Sequence, residues 1–122
     1  MPEAYAARSP IEHSADLASW SGSLLCAHGV LDELVPVSDT CRFVGELGGF
    51  ETYHLDADSQ TIAAPPASCE GAGLSWSGAA LPHDWPGTRY AAFYDGGGHG
   101  AFVPISDALL ADAAEFLAIK MP

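Results

Sequence analysis

The chain has 122 residues, of which 48% are hydrophobic and 16% are charged, and it contains three Trp, four Tyr and five Phe. This composition excludes an intrinsically disordered chain, and the length predicts one domain with a single hydrophobic core. Four Lys and Arg against sixteen Asp and Glu give a formal net charge of −12 without any basic run, which argues against nucleic acid and anionic membranes as partners.

The sequence contains no motif that is typical of a targeting signal or of a metal site. The residues after Met1 lack the basic and apolar regions of a signal peptide, and no run approaches the ~20 apolar residues of a membrane helix. The histidines and Cys26, Cys41 and Cys69 lack the spacing of a zinc site, so we expect no metal and no cofactor. The sequence does not decide whether Cys41 and Cys69 form a disulfide, because it is compatible with a cytoplasmic and with a secreted parent protein.

The first predicted elements are a linker and a buried strand. Residues 1–22 are of mixed composition and predict a linker into a domain that covers residues 23–122. Residues 23–27 form a short apolar run that is typical of a buried strand. This strand leads into a loop that reads His-Gly-Val-Leu-Asp-Glu-Leu-Val-Pro and contains His28 and Asp32.

A helix, a second strand and a long insertion follow. Apolar residues at helical spacing predict a helix over Asp39–Leu47, with Ser38 as its N-cap and two glycines at its end. Alternation predicts a strand over Phe50–Leu55. Residues 56–88 are rich in Pro, Ser, Gly and Ala and predict an irregular insertion, and loops of that length are often functional.

A strand, a glycine-rich loop and a helix complete the pattern. Arg89–Tyr94 alternates as a strand does, and it runs into Gly-Gly-Gly-His-Gly, which contains His99. Apolar residues at helical spacing then predict an amphipathic helix from about Ser106 to Ile119, with Asp112 off its apolar stripe. Strands that alternate with helices predict an α/β fold in which helices cover a parallel sheet.

Two titratable residues each follow a predicted strand, where parallel sheets carry their functional groups. They are Asp32 and His99. A histidine that acts as a general base needs one ring nitrogen free and the other held by a carboxylate. We therefore expect Asp32 and His99 to lie within hydrogen-bond distance.

These two loops resemble the acid and histidine loops of α/β-hydrolases, in the branches of prolyl-oligopeptidase-like, dienelactone-hydrolase-like and polyhydroxybutyrate-depolymerase-like esterases. Asp32 matches the triad acid and His99 the triad histidine, in the chain order of that family. The resemblance covers residues 23–47 and 89–117 and is absent from residues 56–88. It implies a partial α/β-hydrolase-type sheet with flanking helices that comprises the C-terminal strands and helices only.

The chain departs from this family at the nucleophile. The family's serine lies in a Gly-x-Ser-x-Gly elbow before the acid loop, and no such motif occurs here. The nearest string, residues 73–78, has a different spacing and follows Asp32. An upstream segment or a second chain would have to supply the serine.

The resemblance implies a serine-type hydrolase of carboxylic esters, and less readily of amides or peptides, with a small-molecule ester as substrate. Within it, Asp32 and His99 are catalytic and His28 braces the acid loop. Trp76, Trp85 and Phe102 either line a substrate cleft or pack in the protein.

Simpler interpretations stand beside this one. Asp32 is also compatible with a turn residue, and His99 with a loop histidine that has no role. The competing function is a non-catalytic, truncated hydrolase-like module that binds a partner. Such a module would expose an apolar sheet edge and would tend to self-associate.

Overall fold

The computed structural model describes residues 22–100 and 102–121. All but the last residue of the predicted linker lies outside them. The elements are strands β1 (Leu24–Gly29), β2 (Glu51–Leu55) and β3 (Arg89–Tyr94), helices α1 (Val37–Leu47) and α2 (Asp107–Lys120), and a short 3₁₀ helix (Ala67–Cys69).

The three strands form a parallel sheet in the order β1-β3-β2, so the fold is α/β. Gly29 and Leu55 both pair with Tyr94, and the three strands therefore end level with one another. The loops that follow β1 and β3 consequently start side by side at the carboxyl end of the sheet.

The central strand β3 has a core on each face, because its side chains alternate between the two. Helix α1 covers the face that carries Ala91 and Phe93. Phe116 of α2 packs on the other face, against Tyr90 and Tyr94. The alternation predicted for Arg89–Tyr94 is confirmed.

Helix α1 starts earlier than the sequence predicts, and the prediction of Ser38 as its N-cap is wrong. Pro36 occupies the N-cap position without a side-chain hydrogen bond, and Ser38 lies in the first turn. Val37 is buried, and this burial favours the earlier start. The helix ends at Leu47, and Gly48 is its C-cap, with a φ of 75° that suits a glycine.

The insertion contributes Cys69, Leu81 and Trp85 to the core and is otherwise largely exposed. Cys69 forms a disulfide with Cys41 of α1, with 5.7 Å between the two Cα atoms. Trp76 and Ser77 run along β2, where the Ser77 N–H donates to the Thr52 carbonyl at 2.8 Å. The insertion therefore covers the outer edge of β2.

Helix α2 begins as predicted, with the Ser106 side chain accepting from the Leu109 N–H. Helical spacing places Leu110 and Leu117 on the apolar stripe of this helix and Asp112 off it. This prediction is only partly correct, because Leu110 and Leu117 are exposed whereas Asp112 is buried. Burial of Asp112 is compensated, since its Oδ2 accepts hydrogen bonds from the Tyr94 hydroxyl at 2.7 Å and the Ser59 hydroxyl at 2.6 Å. Neither helix of the described residues has the length and apolar character needed to cross a membrane.

Candidate active site

The loops after β1 and β3 are joined by backbone hydrogen bonds as soon as they leave the sheet. The Val30 N–H donates to the Tyr94 carbonyl at 2.9 Å, and the Leu31 N–H donates to the Gly97 carbonyl at 2.8 Å. The two loops therefore form one unit at the carboxyl end of the sheet, which is where parallel sheets carry their sites.

Gly29 permits this close approach, and Gly98 permits tight packing within the loop that carries His99. A Cβ atom on Gly29 would overlap the carbonyl of Gly97, and a Cβ atom on Gly98 would lie 2.5 Å from the Val103 carbonyl oxygen. A side chain at Gly29 would push the two loops apart, and one at Gly98 would clash within the loop that carries His99. The glycines around His99 thus serve the packing of the loop that carries it.

Within this unit, the side chains of Asp32 and His99 meet. His99 Nδ1 lies 2.9 Å from Asp32 Oδ2. The expected proximity of the two residues is confirmed. The Asp32 side chain is 6% exposed and that of His99 is 48% exposed, so the acid lies beneath a histidine that solvent reaches.

Asp32 is held by several donors. Its Oδ1 accepts from the N–H groups of Leu34 at 2.8 Å and Val35 at 2.7 Å. Burial by itself raises the pKa of this carboxyl. The hydrogen bonds from Val35, His99 and Leu34, together with the electrostatic effect of His28, outweigh burial and lower the pKa to about 2. Asp32 is therefore a carboxylate at neutral and mildly acidic pH.

His28 is buried beneath the acid loop and bridges it to α1. Its Nε2 lies 3.1 Å from both the Val35 carbonyl oxygen and Asp32 Oδ2, and both are acceptors, so Nε2 carries a proton. Its Nδ1 lies 2.7 Å from the Thr40 hydroxyl. This is the geometry that the predicted bracing role requires.

The partner of His99 fixes its tautomer. A carboxylate only accepts, so Nδ1 of His99 carries the proton and Nε2 of the neutral ring carries the lone pair. Among the described residues, no hydroxyl group hydrogen-bonds to Nε2. This nitrogen is therefore available to take a proton from an approaching hydroxyl group.

A second histidine–aspartate pair lies at the same end of the sheet and was not predicted. His54 Nε2 contacts Asp95 Oδ1 at 2.8 Å, and His54 Nδ1 contacts the Ala64 carbonyl oxygen at 2.6 Å. His54 is buried, and oxygen acceptors occupy both of its ring nitrogens. Both of its ring nitrogens are thus engaged within the protein, which distinguishes this pair from Asp32–His99.

Glu33 is the residue that sequence reasoning missed at this site. Its Oε1 accepts from the Phe102 N–H at 2.8 Å and lies 3.4 Å from the Val103 nitrogen. The pKa of its carboxyl is lowered, chiefly by the Phe102 N–H and further by the backbone of Glu33, Val103 and His99. The acid loop thus contacts the ring of His99 through Asp32, and it contacts the backbone that follows His99 through Glu33.

The aromatic candidates for a substrate cleft separate into different environments. Trp85 is fully buried and packs edge-on against Tyr90 and Phe116, so it belongs to the core and not to a cleft. Trp76 is half-buried against Phe93, with 5.4 Å between the ring centroids. Phe102 is 87% exposed on the His99 loop and is the aromatic residue nearest to His99 in sequence.

The described residues contain no cluster of three or more His, Cys, Asp or Glu side chains that could hold a metal ion. No protein-family model, no curated protein and no solved structure matches the chain.

Proposed function

We propose that this chain carries the acid and the base of a serine-type hydrolase that acts on carboxylic esters. The observation that supports the proposal is the hydrogen bond of 2.9 Å between a nearly buried Asp32 and a half-exposed His99. The parallel sheet, with the two loops side by side at its carboxyl end, is compatible with part of an α/β-hydrolase-type fold.

In the proposed reaction, Nε2 of His99 takes the proton of a hydroxyl nucleophile as its oxygen attacks the ester carbonyl carbon. The resulting imidazolium gives this proton to the alkoxide that leaves when the tetrahedral intermediate collapses. Asp32 stabilises the imidazolium and keeps Nδ1 protonated throughout. The nucleophile is a serine of an upstream segment or of a second chain, and its attack leaves an acyl-serine ester. His99 then takes a proton from the water that attacks this ester and returns it to the serine oxygen, and the carboxylic acid is released. Without the serine, water attacks activated esters directly and slowly.

The test is hydrolysis of p-nitrophenyl acetate by the chain and three variants. We expect a rate above that of buffer, with at least a tenfold loss in His99→Ala and a similar loss in Asp32→Ala, because positioned general bases contribute roughly 10²–10⁴-fold. His83→Ala is the matched control, since His83 is also exposed and bonded to a carboxylate, at 2.7 Å from Glu115. A rate that is the same in wild type and His99→Ala contradicts the proposal.

The location of the nucleophile is a separate question with its own readout. Mass spectrometry after incubation with a fluorophosphonate identifies a serine activated by His99 as a covalent adduct. An adduct that disappears in His99→Ala identifies that serine. Turnover without an adduct identifies water as the nucleophile in this chain.

A non-catalytic binding module is the second candidate, and the edge of the sheet favours it. No described residue pairs with the outer edge of β1, whose apolar residues Leu24–Ala27 are only half-buried. Such an edge is a template for pairing with another strand. Concentration-dependent association in analytical ultracentrifugation, together with ester hydrolysis that does not depend on His99, would favour this candidate.

A further inference from the structure

The described residues include nine exposed large hydrophobic side chains, and five of them lie on the two loops that carry Asp32 and His99. We call this group the apolar collar; it comprises Leu31, Leu34, Val35, Phe102 and Ile105. Single exposed apolar residues are ordinary, but a group of this size on two joined loops indicates a binding surface.

The contacts between the loops bring the two parts of the collar together. The Leu31 N–H donates to the Gly97 carbonyl on one side, and Glu33 accepts from the Phe102 N–H on the other. Ile105 lies against Gly100, beside His99, at 3.7 Å from the position that a Cβ atom would occupy there. The collar therefore lies on the same two joined loops as His99.

The carboxylates among the described residues of the site disfavour an anionic ligand. Asp32 and Glu33 are both carboxylates with lowered pKa values. The described Arg and Lys side chains lie elsewhere. The Arg89 guanidinium donates to the carbonyls of Leu47 and Gly48, and the Lys120 ammonium donates to the carbonyl of Gly87. Arg42 lies on α1, beside the cleft that α1 forms with residues 68–75. A carboxylate or phosphate at the collar would meet like charge, and the described Lys and Arg side chains contact other parts of the fold.

We propose that the apolar collar binds the alkyl chain of a neutral ester and thereby selects uncharged, apolar substrates for the His99 site. This inference rests on the proposed hydrolase function. It adds the class of substrate, which the acid–base pair by itself does not define. Removal of an alkyl chain from water supplies the binding energy, and affinity therefore rises with chain length.

Binding is measured apart from turnover, with methyl alkyl ketones that imitate a neutral ester but have no leaving group. Ketones with propyl, pentyl and heptyl chains are titrated into the chain, and the side-chain NMR signals of Leu31 and Phe102 are followed. We expect saturable shifts at the collar and affinities that rise about two- to fourfold per added methylene. The fatty-acid anion of the same length should bind at least tenfold more weakly than the heptyl ketone, because it meets Asp32 and Glu33.

Leu31→Ser should weaken binding of the heptyl ketone at least fivefold. Leu117→Ser on α2 is the matched control, because Leu31 and Leu117 are both 52% exposed. Equal binding by the two variants, a fatty-acid anion that binds as well as the ketone, or shifts that follow protein concentration instead of ketone concentration would each overturn the proposal. Ketone binding by the collar without ester hydrolysis would refute the proposed hydrolase function and leave the collar proposal standing. Ester hydrolysis whose rate does not depend on alkyl chain length would refute the collar proposal alone.

Discussion

His99 Nδ1 lies 2.9 Å from Asp32 Oδ2, although 67 residues separate the two in the chain. The parallel pairing of β1 with β3 produces this contact, because Gly29 and Tyr94 are partners at the ends of the two strands. The acid is covered by its own loop and the histidine faces solvent. In the proposed reaction, the proton is therefore taken at Nε2 of His99, on the solvent-exposed ring.

Asp32 makes stability depend on pH in the acid range. The pKa of its carboxyl is about 2 in the folded protein, against 3.8 for an unperturbed aspartate. The lower folded pKa stabilises the fold above about pH 4, and this contribution is lost as the pH falls towards about 2. Urea unfolding of Asp32→Asn should thus show a smaller loss of stability over this range than the wild type. Asp58→Asn, at an exposed turn, is the control, and equal pH slopes for wild type and Asp32→Asn would refute the prediction.

Glu33 holds the loop that follows His99. We expect Glu33→Gln to speed amide exchange of Phe102 and Val103 severalfold, because a neutral amide oxygen is a weaker acceptor than a carboxylate. Hydrogen exchange followed by NMR measures this effect directly. Glu70→Gln, which removes an exposed carboxylate on the insertion, should leave both amides unchanged. Unaltered exchange in Glu33→Gln would show that the loop is held by other contacts.

Gly98→Ala should distort the loop that carries His99. The added methyl group would lie 2.5 Å from both the Cβ and the carbonyl oxygen of Val103, so the backbone must shift. We expect a loss of roughly 1–3 kcal/mol in the free energy of unfolding, as for other overpacked sites. Gly78→Ala is the control because a Cβ atom there meets nothing within 4 Å. Similar stability of the two variants in urea would contradict this account of the loop.

The Cys41–Cys69 disulfide ties the insertion to α1 across a separation of 28 residues. Replacing both cysteines with alanine should lower the free energy of unfolding by about 3 kcal/mol, mainly because the unfolded chain gains freedom. Urea unfolding with and without a reductant measures the change. The reductant should destabilise the wild type and leave the double variant unaffected. A wild type that is insensitive to reductant while its disulfide is reduced would rule out this contribution.

Local pattern was sufficient for the existence of the three strands, for the bounds of β3 and for the start of α2. It was not sufficient for the end of β1, which continues through His28 and Gly29, two residues that the sequence predicts as loop. The meeting of Asp32 with His99 was expected because a histidine that acts as a base needs a carboxylate partner. Strand β3 covers the predicted residues Arg89–Tyr94, because alternation and the following glycines mark it without any knowledge of its neighbours. The two site residues each follow a strand. Their proximity therefore required only that those two strands be parallel neighbours.

The features that escaped prediction depend on partners distant in the chain. Asp112 was assigned to a solvated face by helical spacing, and it is buried because Tyr94 and Ser59 donate to it. Glu33 looks like any loop acid until the Phe102 N–H is found beside it. The pairing of His54 with Asp95 is equally invisible, since it joins the end of β2 to the residue after β3.

The tautomer of the His99 ring tests the central claim most directly. ¹⁵N NMR of the histidine-labelled chain, at a pH where the ring is neutral, reports which nitrogen carries the proton. Because Nδ1 faces the Asp32 carboxylate, we predict a protonated Nδ1 and an unprotonated Nε2, with loss of this preference in Asp32→Ala. A proton on Nε2 in the wild type would contradict the account, since His99 would then have no base to present to a nucleophile.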